Sequence, residues 1–266
     1  MTETLRSRQG AQIRHLRELE RGAEARRERG LYLCDGEKLL TEALRSGAEI
    51  REVFWRESRA EAYVPFEKEY LLSEELFDYV SPMKNSPGPL FTVRMRQQEP
   101  TAAVQRVVLL EEIQDPGNVG TILRTADAFG TDAVILLEGC ADVYAPKTVR
   151  AGMGAVFRQP VLRMAREEAA AWCRERELPL YAAALSEAAR DLRELDLSRA
   201  AVAIGSEGHG LSRELRSLCD GELIIPMSGE AESLNAGVAA AIVMWEMCRQ
   251  EESRWKACDA GSGCHS

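Results

Sequence analysis

The residues best suited to chemistry in this chain lie in three short polar segments, each of which follows an apolar run. Their hydroxyl, carboxamide, carboxylate and guanidinium groups could orient a substrate, move a proton and stabilise a developing negative charge. Glycines among them would let the backbone approach a ligand closely. The segments read Asn118-Val-Gly-Thr-Ile-Leu-Arg124, Gly205-Ser-Glu-Gly-His-Gly-Leu211 and Ile225-Pro-Met-Ser-Gly-Glu-Ala-Glu-Ser-Leu-Asn235.

The third segment is the most informative. The apolar run Leu223–Ile225 ends at Pro226, which cannot donate to a sheet ladder and therefore predicts a strand end. A polar loop then leads to Asn235, after which Ala236 and Gly237 predict a helix start that a ligand or another chain segment approaches closely. The pattern predicts a strand, a loop and a helix that together form a site.

Near-continuous apolar strands alternate with helices beyond residue 104, which predicts an α/β domain with a parallel sheet covered on both faces. Because such sheets bind ligands at the carboxyl ends of their strands, we expect the three segments to converge on one edge. The pattern further predicts helices over Val119–Phe129 and Glu232–Gln250 and an extended stretch over Ala155–Leu162.

Residues 31–93 also alternate strands and helices and predict a smaller α/β domain. A helical lead-in is expected over residues 1–30, and a polar linker ends at Pro100. The predicted organisation is an N-terminal domain over 1–98, a second domain over 104–252 and a flexible tail over 253–266.

Composition describes an ordinary globular protein, with 45% hydrophobic and 29% charged residues. The apolar runs are too short for a membrane span and the N-terminus lacks the apolar core of a signal peptide, so we expect a cytoplasmic protein. The seven cysteines include no C-x-x-C pair, and reduced thiols are expected. Cys258, Cys264 and His265 could contact a metal, but a frayed tail is the better interpretation, and no metal is predicted.

The formal net charge of −9 is unusual for a protein that binds nucleic acid, because phosphate contacts require Lys or Arg. Basic residues are nevertheless concentrated locally, with eight arginines against five glutamates in residues 1–30 and no acid between Lys147 and Arg158. Such basic faces on an acidic body can bind RNA. For the N-terminal arginines, a solvated helix face with ion pairs is an equally good interpretation.

Together, the three segments resemble the SpoU/TrmH-type RNA 2′-O-ribose methyltransferases of the knotted SPOUT superfamily. They occur in the family's order and at family-like separations, over roughly residues 106–250. The resemblance implies a homodimeric enzyme that uses S-adenosylmethionine to methylate a ribose 2′-hydroxyl, with a C-terminal trefoil knot. Residues 31–93 resemble, more diffusely, the small substrate-binding domain, related to a ribosomal-protein fold, of many members.

The resemblance implies roles for individual residues, and the basic stretch adds Lys147 and Arg150. Catalytic roles fall to Arg124, Glu207, Ser233 and Asn235, cofactor contacts to Gly205, Ile225, Met227 and Leu234, and RNA contacts to Asn118, Arg124, Lys147 and Arg150. Glu207 is expected to orient the site by holding Arg124 or a substrate hydroxyl. Because a guanidinium keeps its proton at neutral pH, we expect Arg124 to stabilise the developing alkoxide and hold the adjoining phosphate. Ser233, Asn235 or a phosphate oxygen could then relay the proton.

Each of these assignments has a structural alternative. Asn118 and Ser233 could cap helices, Arg124 could be an ordinary surface residue, Ile225 and Leu234 could be core, and the glycine-rich segment could be a turn with Ser212 capping the next helix. Two positions also depart from the family pattern. Gly152 and Gly237 stand where members often have serine, which could alter the grip on the substrate without removing the cofactor pocket.

Ribosomal RNA is the expected substrate, by analogy with members that carry an extra N-terminal domain. A transfer RNA methyltransferase and a non-catalytic RNA-binding protein that keeps the fold are the alternatives. A nucleotide-binding oxidoreductase is disfavoured because the glycine spacing after Gly205 is G-x-x-G-x-G and not G-x-G-x-x-G.

Overall fold

The structure is a computed structural model that describes residues 3–58, 66–96, 99–100, 103–228 and 233–250. The chain forms two compact units. The first unit takes its described residues from Met1–Gln97, Asp115–Arg124 and Ala141–Arg158, and the second unit from Gln98–Gln114, Thr125–Cys140 and Gln159–Ser266.

The first unit contains a five-stranded mixed sheet with the strand order β1-β4-β3-β5-β2. Its strands are β1 Glu3–Leu5, β2 Leu31–Asp35, β3 Ile50–Arg56, β4 Glu69–Leu72 and β5 Leu90–Arg94. Strand β5 pairs antiparallel with β2 and β3, whereas β4 pairs parallel with β1 and β3. The helices of residues 3–96 are α1 Ala11–Arg21, α2 Ala23–Arg29, α3 Glu37–Arg45 and α4 Glu74–Val80.

Helices cover both faces of this sheet because the side chains of each strand alternate. Leu33 of β2 packs in one apolar cluster with Leu16 of α1 and Phe77 of α4, while its neighbour Cys34 packs in another with Leu40 of α3. The predicted small α/β arrangement is therefore present in the described part of residues 3–96.

The predicted helical lead-in is correct for α1 and α2 but wrong for residues 3–5. Those residues form β1, which pairs with the distant strand β4. The helical stretch is also interrupted at Gly22. The Gly22 N–H donates the last hydrogen bond of α1 to the Glu18 carbonyl at 2.9 Å, and the extended backbone of Gly22 then separates α1 from α2. Long-range pairing and a single backbone angle decide both features, and neither is visible in local periodicity.

The second unit contains a seven-stranded sheet with the order β10-β12-β9-β11-β6-β7-β8, in which every pairing is parallel. Its strands are β6 Arg106–Leu110, β7 Ala133–Leu136, β8 Val161–Arg163, β9 Leu180–Ala183, β10 Arg190–Asp191, β11 Ala200–Ile204 and β12 Gly221–Ile224. The remaining helices are α5 Pro116–Phe129, α6 Pro146–Gly152, α7 Arg166–Glu175, α8 Arg213–Leu218 and α9 Ala236–Arg249. This confirms the predicted parallel sheet.

Three local predictions in this region are wrong. Ala155–Phe157 is a turn of 3₁₀ helix, so the extended stretch is limited to β8. Helix α9 begins at Ala236 and not at Glu232, because the Asn235 side chain accepts from the N–H groups of Gly237 and Val238. The two-residue edge strand β10 was not predicted, since it is too short and polar to produce a pattern.

None of the helices in the described residues has the length and apolarity needed to cross a bilayer.

Helices α5 and α6 meet closely at Gly120 within the first unit. A Cβ at this position would lie 2.5 Å from the Thr148 carbonyl oxygen, 2.6 Å from the Ala151 Cβ and 3.0 Å from the Gly152 nitrogen. Two of these atoms are backbone, so a side chain would force the helices apart. At Gly152 a Cβ would meet its nearest atom, the Gly120 oxygen, at an ordinary 3.6 Å.

We therefore expect Gly120→Ala to lower the unfolding free energy by about 1–3 kcal/mol, through overpacking. Gly152→Ala is the matched control, because it adds the same methyl group on the facing helix with ordinary contacts and gains helix propensity. Melting temperatures of the two variants measure the difference. Equal melting temperatures would contradict the close crossing.

Candidate active site

A cavity of about 420 Å³ lies in the second unit at the carboxyl ends of β9, β11 and β12. Its volume falls within the range of roughly 300–1,000 Å³ that is typical of small-molecule sites. Residues of the second and third segments line it, as do Ala184 and Leu185 after β9. The expected convergence at one sheet edge is confirmed for these two segments.

The wall after β11 is a tight loop that requires glycine at two positions. The loop closes on itself by a bridge between Ser206 and Gly210, with the Gly210 N–H donating to the Ser206 carbonyl at 2.9 Å. Gly210 has a φ of +68°, and a Cβ on Gly205 would lie only 2.2 Å from the carbonyl carbon and oxygen of Gly210. The glycines thus bring two stretches of backbone together beside the cavity.

The end of this loop is fixed by a buried acid that the sequence analysis missed. Glu111, 1% exposed and directly after β6, accepts from the Ser212 N–H at 2.7 Å and from the Ser212 hydroxyl at 2.8 Å. Arg166 of α7 forms an ion pair with the same carboxylate. Ser212 caps α8 by accepting from the Leu215 N–H, as predicted. A carboxylate at the end of an apolar strand was the only signal for Glu111.

Glu207 and Asn235 join the second and third segments. The Asn235 side-chain N–H donates to Glu207 Oε1 at 3.0 Å, and the Ala236 N–H donates to the same oxygen at 3.2 Å. Asn235 Oδ1 accepts from Gly237 and Val238. Asn235 is therefore the cap of α9, and the alternative that Ser233 caps this helix is wrong. Within the second unit, Glu207 orients Asn235 and stabilises the helix start.

The predicted cofactor residues lie around the cavity. Gly205, Ile225, Met227 and Leu234 line it, as do Glu207 and Ser233 from the predicted catalytic set. Arg216 and His209 also line it and were not predicted. Arg216 is held by Glu222 through an ion pair of 2.7 Å. A hydrogen bond from the Ser186 hydroxyl and the contact with Arg216 lower the pKa of the Glu222 carboxyl.

The predicted RNA-binding residues belong to the first unit. Asn118 lies in the first turn of α5, and its N–H donates to Asp115 Oδ1 at 3.1 Å. Asp115 precedes the helix and caps it, so the alternative that Asn118 is the cap is wrong. Lys147 pairs with Asp115 at 2.8 Å, and this contact is the main cause of the lowered pKa of the Asp115 carboxyl.

Two exposed arginines of the same unit have side chains that could contact a ligand. The guanidinium groups of Arg124, near the middle of α5, and of Arg150, on α6, make no hydrogen bond or short ion pair with the described residues. By contrast, Arg26 of the basic N-terminal stretch is 3% exposed and pairs with Asp142 at 2.8 Å. The interpretation of the N-terminal arginines as one uniform solvated face is wrong at Arg26.

Some predicted features lie outside the described residues. These are Cys258, Cys264, His265, the rest of the tail 253–266, and the stretch 229–232 within the third segment. Within the described residues, five cysteines are free thiols. Cys34 and Cys173 are buried, whereas Cys140, Cys219 and Cys248 are only partly buried.

Comparison with known proteins places this geometry in context. The model of the SpoU rRNA Methylase family matches residues 105–245. The 23S rRNA (guanosine(2553)-2′-O)-methyltransferase RlmP of Bacillus subtilis is 35% identical over 81% of this chain and 88% of its own length. An uncharacterized tRNA/rRNA methyltransferase of Synechocystis is 29% identical over 97% of both chains.

Solved structures agree over most of the chain. The SpoU methyltransferase AviRb from Streptomyces viridochromogenes, in complex with AdoMet, has a TM-score of 0.83 at 27% identity and covers 92% of this chain and 99% of its own. An AdoMet-bound rRNA methyltransferase from Sinorhizobium meliloti has a TM-score of 0.83 at 28% identity, with coverage of 94% and 98%.

Proposed function

Because the chain belongs to the SpoU rRNA Methylase family, we propose that it transfers a methyl group from S-adenosylmethionine to a ribose 2′-hydroxyl of ribosomal RNA. The observation that carries this proposal is the cavity at the carboxyl ends of β9, β11 and β12. Its position is where open parallel sheets bind their ligands.

The residues around the cavity fit this cofactor. An adenosine group requires apolar walls and a few backbone donors and acceptors. Ile225, Met227 and Leu234 offer the apolar walls, and the loop that begins at Gly205 offers backbone groups where a Cβ has no room. S-adenosylmethionine supplies a methyl group bound to a sulfonium centre. When the methyl carbon is attacked, the sulfur departs as a neutral thioether, which is an excellent leaving group.

The protein must then make a ribose hydroxyl nucleophilic. The Arg124 side chain is exposed and makes no hydrogen bond or ion pair with the described residues, so its guanidinium can hold a phosphate and stabilise a developing alkoxide. Asn235 is a poor proton acceptor, because its oxygen already accepts two N–H groups and its amide donates to Glu207. The Ser233 hydroxyl, exposed at the cavity, is the better relay, since it can accept the proton of the ribose hydroxyl and release its own proton to solvent. The C-terminal trefoil knot stays a prediction.

The choice of ribosomal over transfer RNA is supported by the name of the RlmP relative, a 23S rRNA methyltransferase. The match with this chain spans 88% of that relative's length. Transfer RNA is the second candidate, because other relatives carry the name tRNA/rRNA methyltransferase. Mapping 2′-O-methylation in a deletion strain against wild type tests this. Loss of one ribosomal ribose methylation is expected, whereas loss in transfer RNA alone would contradict the choice.

We further propose that the protein works as a homodimer in the cytoplasm, the compartment of its RNA substrate. Val238 and Trp245 of α9 are 49% and 42% exposed, and both lie at helical spacing with Ile242. Trp245 packs edge-on against Phe129, with ring centroids 5.5 Å apart. Such an exposed apolar stripe supports contact with a second copy.

Trp245→Lys is accordingly expected to convert a dimer into a monomer, because it places a charge in the apolar stripe. Light scattering during size-exclusion chromatography measures the mass. Leu44→Lys is the matched control, since Leu44 is 52% exposed on α3 of the first unit. A wild-type monomer, or a dimer that survives the Trp245 substitution, would contradict this contact.

A further inference from the structure

A second cavity, of about 200 Å³, lies wholly within the first unit and has no part in the mechanism above. It is bounded by the end of β2, the start of α3, the loop after α4 and the helix α6. Leu33, Leu39 and Val149 give it apolar walls. Asp35 is its only acidic lining residue among the described ones, and Lys147 and Arg150 are basic lining residues.

The Asp35 carboxylate is held in place but retains acceptor capacity. Its Oδ2 accepts from the Ser81 hydroxyl at 2.7 Å, and its Oδ1 accepts from the Ser86 hydroxyl. Each carboxylate oxygen can accept a second hydrogen bond. Asp35 has no basic group of a described residue within ion-pair distance. Burial raises the pKa of its carboxyl, while the two serine hydroxyls and the more distant charges of Arg56 and Arg150 lower it.

The basic residues restrict what can enter. Lys147 and Arg150 are both exposed. Lys147 pairs with Asp115 at 2.8 Å, whereas the Arg150 guanidinium makes no hydrogen bond or short ion pair with the described residues and acts on Asp35 only over a longer distance. These cations disfavour a positively charged ligand, and the carboxylate disfavours an anion inside the cavity. The apolar walls favour a flat neutral ring, and the Asp35 carboxylate favours N–H donors on that ring. The cations at the rim favour a phosphate attached to it. A nucleobase of an RNA chain has both features.

We propose that this cavity, the Asp35 pocket, binds one unpaired guanine of the RNA, with Asp35 accepting from its Watson–Crick edge and Arg150 contacting the adjoining phosphate. Guanine alone presents two adjacent donors there, N1–H and N2–H, which match the two oxygens of a carboxylate. Unpaired bases are the usual targets of sequence-specific RNA recognition. The volume is below the roughly 300 Å³ at which drug-sized sites begin, which suits a single base. This inference rests on the proposed function, since it takes RNA as the substrate.

The test is a fluorescence-anisotropy titration of the full chain with short, adenine-rich RNAs that differ at one central position. That position carries guanosine, inosine, which lacks the 2-amino group, or adenosine. The wild type is expected to bind the guanosine RNA about ten-fold more tightly than the adenosine RNA, with inosine between them. Asp35→Asn should remove this preference, because an amide offers one acceptor only, while it can still bond both serine hydroxyls.

Glu75→Gln is the matched control, because Glu75 is an exposed carboxylate of the first unit outside the pocket. It is expected to keep the guanosine preference. Equal wild-type affinity for the three RNAs, no binding to any of them, or a preference that survives Asp35→Asn would each overturn the proposal. Calorimetry with S-adenosylmethionine separates the two claims. Failure of the wild type to bind the cofactor would contradict the proposed function. The preference for guanosine is measured in the anisotropy titration without the cofactor, so its outcome tests the Asp35 pocket separately.

Discussion

Arg124→Ala is expected to lower the turnover of RNA methylation by about 100- to 1,000-fold, the usual loss when one charge-stabilising donor is removed. The affinity for S-adenosylmethionine should stay unchanged, because Arg124 is not among the residues that line the cavity. Its exposure, without a polar partner among the described residues, also predicts an unchanged melting temperature. Single-turnover kinetics and calorimetry on the same preparation measure both quantities.

Arg174→Ala is the control for this experiment, since Arg174 is an exposed helix arginine outside the cavity and should leave turnover unchanged. The rate and pH profile of Arg124→Lys provide a second test. It keeps the charge but loses the planar fork, so its rate should fall between the wild type and the alanine variant, without a new ionisation in its pH profile. A normal rate in either Arg124 variant would remove Arg124 from the mechanism.

The second large effect is expected at Gly205. In Gly205→Ala the new Cβ would lie 2.2 Å from the carbonyl of Gly210 and 2.6 Å from the Leu211 nitrogen. All of these atoms are backbone, so the loop that walls the cavity must move. Strain of about 1–3 kcal/mol, if it falls on the cofactor-binding conformation, corresponds to a loss of roughly 5- to 150-fold in affinity for S-adenosylmethionine. Calorimetric titration measures this, together with a lowered melting temperature.

The same loop provides the control. A Cβ on Gly208 would meet no atom within 4 Å, so Gly208→Ala adds an identical methyl group without strain and should keep the wild-type melting temperature. If the two alanine variants melt alike, the close contact between Gly205 and Gly210 is not a feature of the folded protein.

Local pattern was sufficient where an element is apolar and regular. Strands β6, β7 and β11 are buried throughout, and their uninterrupted apolar runs predicted a parallel sheet. Helix α8 was predicted with its Ser212 cap, because a capping residue and its helix are neighbours in sequence. Ile225 and Leu234, which the family resemblance implied as cofactor contacts, line the cavity, and their contact with the cofactor stays a prediction.

Features that depend on distant partners could not be predicted in the same way. Arg26 is buried because Asp142, 116 residues away, neutralises it. Glu111 gains its place in the site from Ser212, 101 residues along the chain. The assignment of 115–124 and 141–158 to the first unit is likewise a result of packing. Gly120 against Thr148 joins these two segments, and Val149 lies in one apolar cluster with Cys34 of β2.

The central claim is that the methyl group goes from S-adenosylmethionine to a ribose oxygen, and alkaline digestion tests it directly. Purified protein is incubated with ribosomal RNA lacking the modification and with cofactor labelled in its methyl group, and the RNA is hydrolysed with alkali. A 2′-O-methyl group blocks cleavage of the adjoining phosphodiester, so we predict label in alkali-resistant dinucleotides, lost in Arg124→Ala. Label confined to mononucleotides would mean base methylation, and that result, or no label at all, would contradict the account.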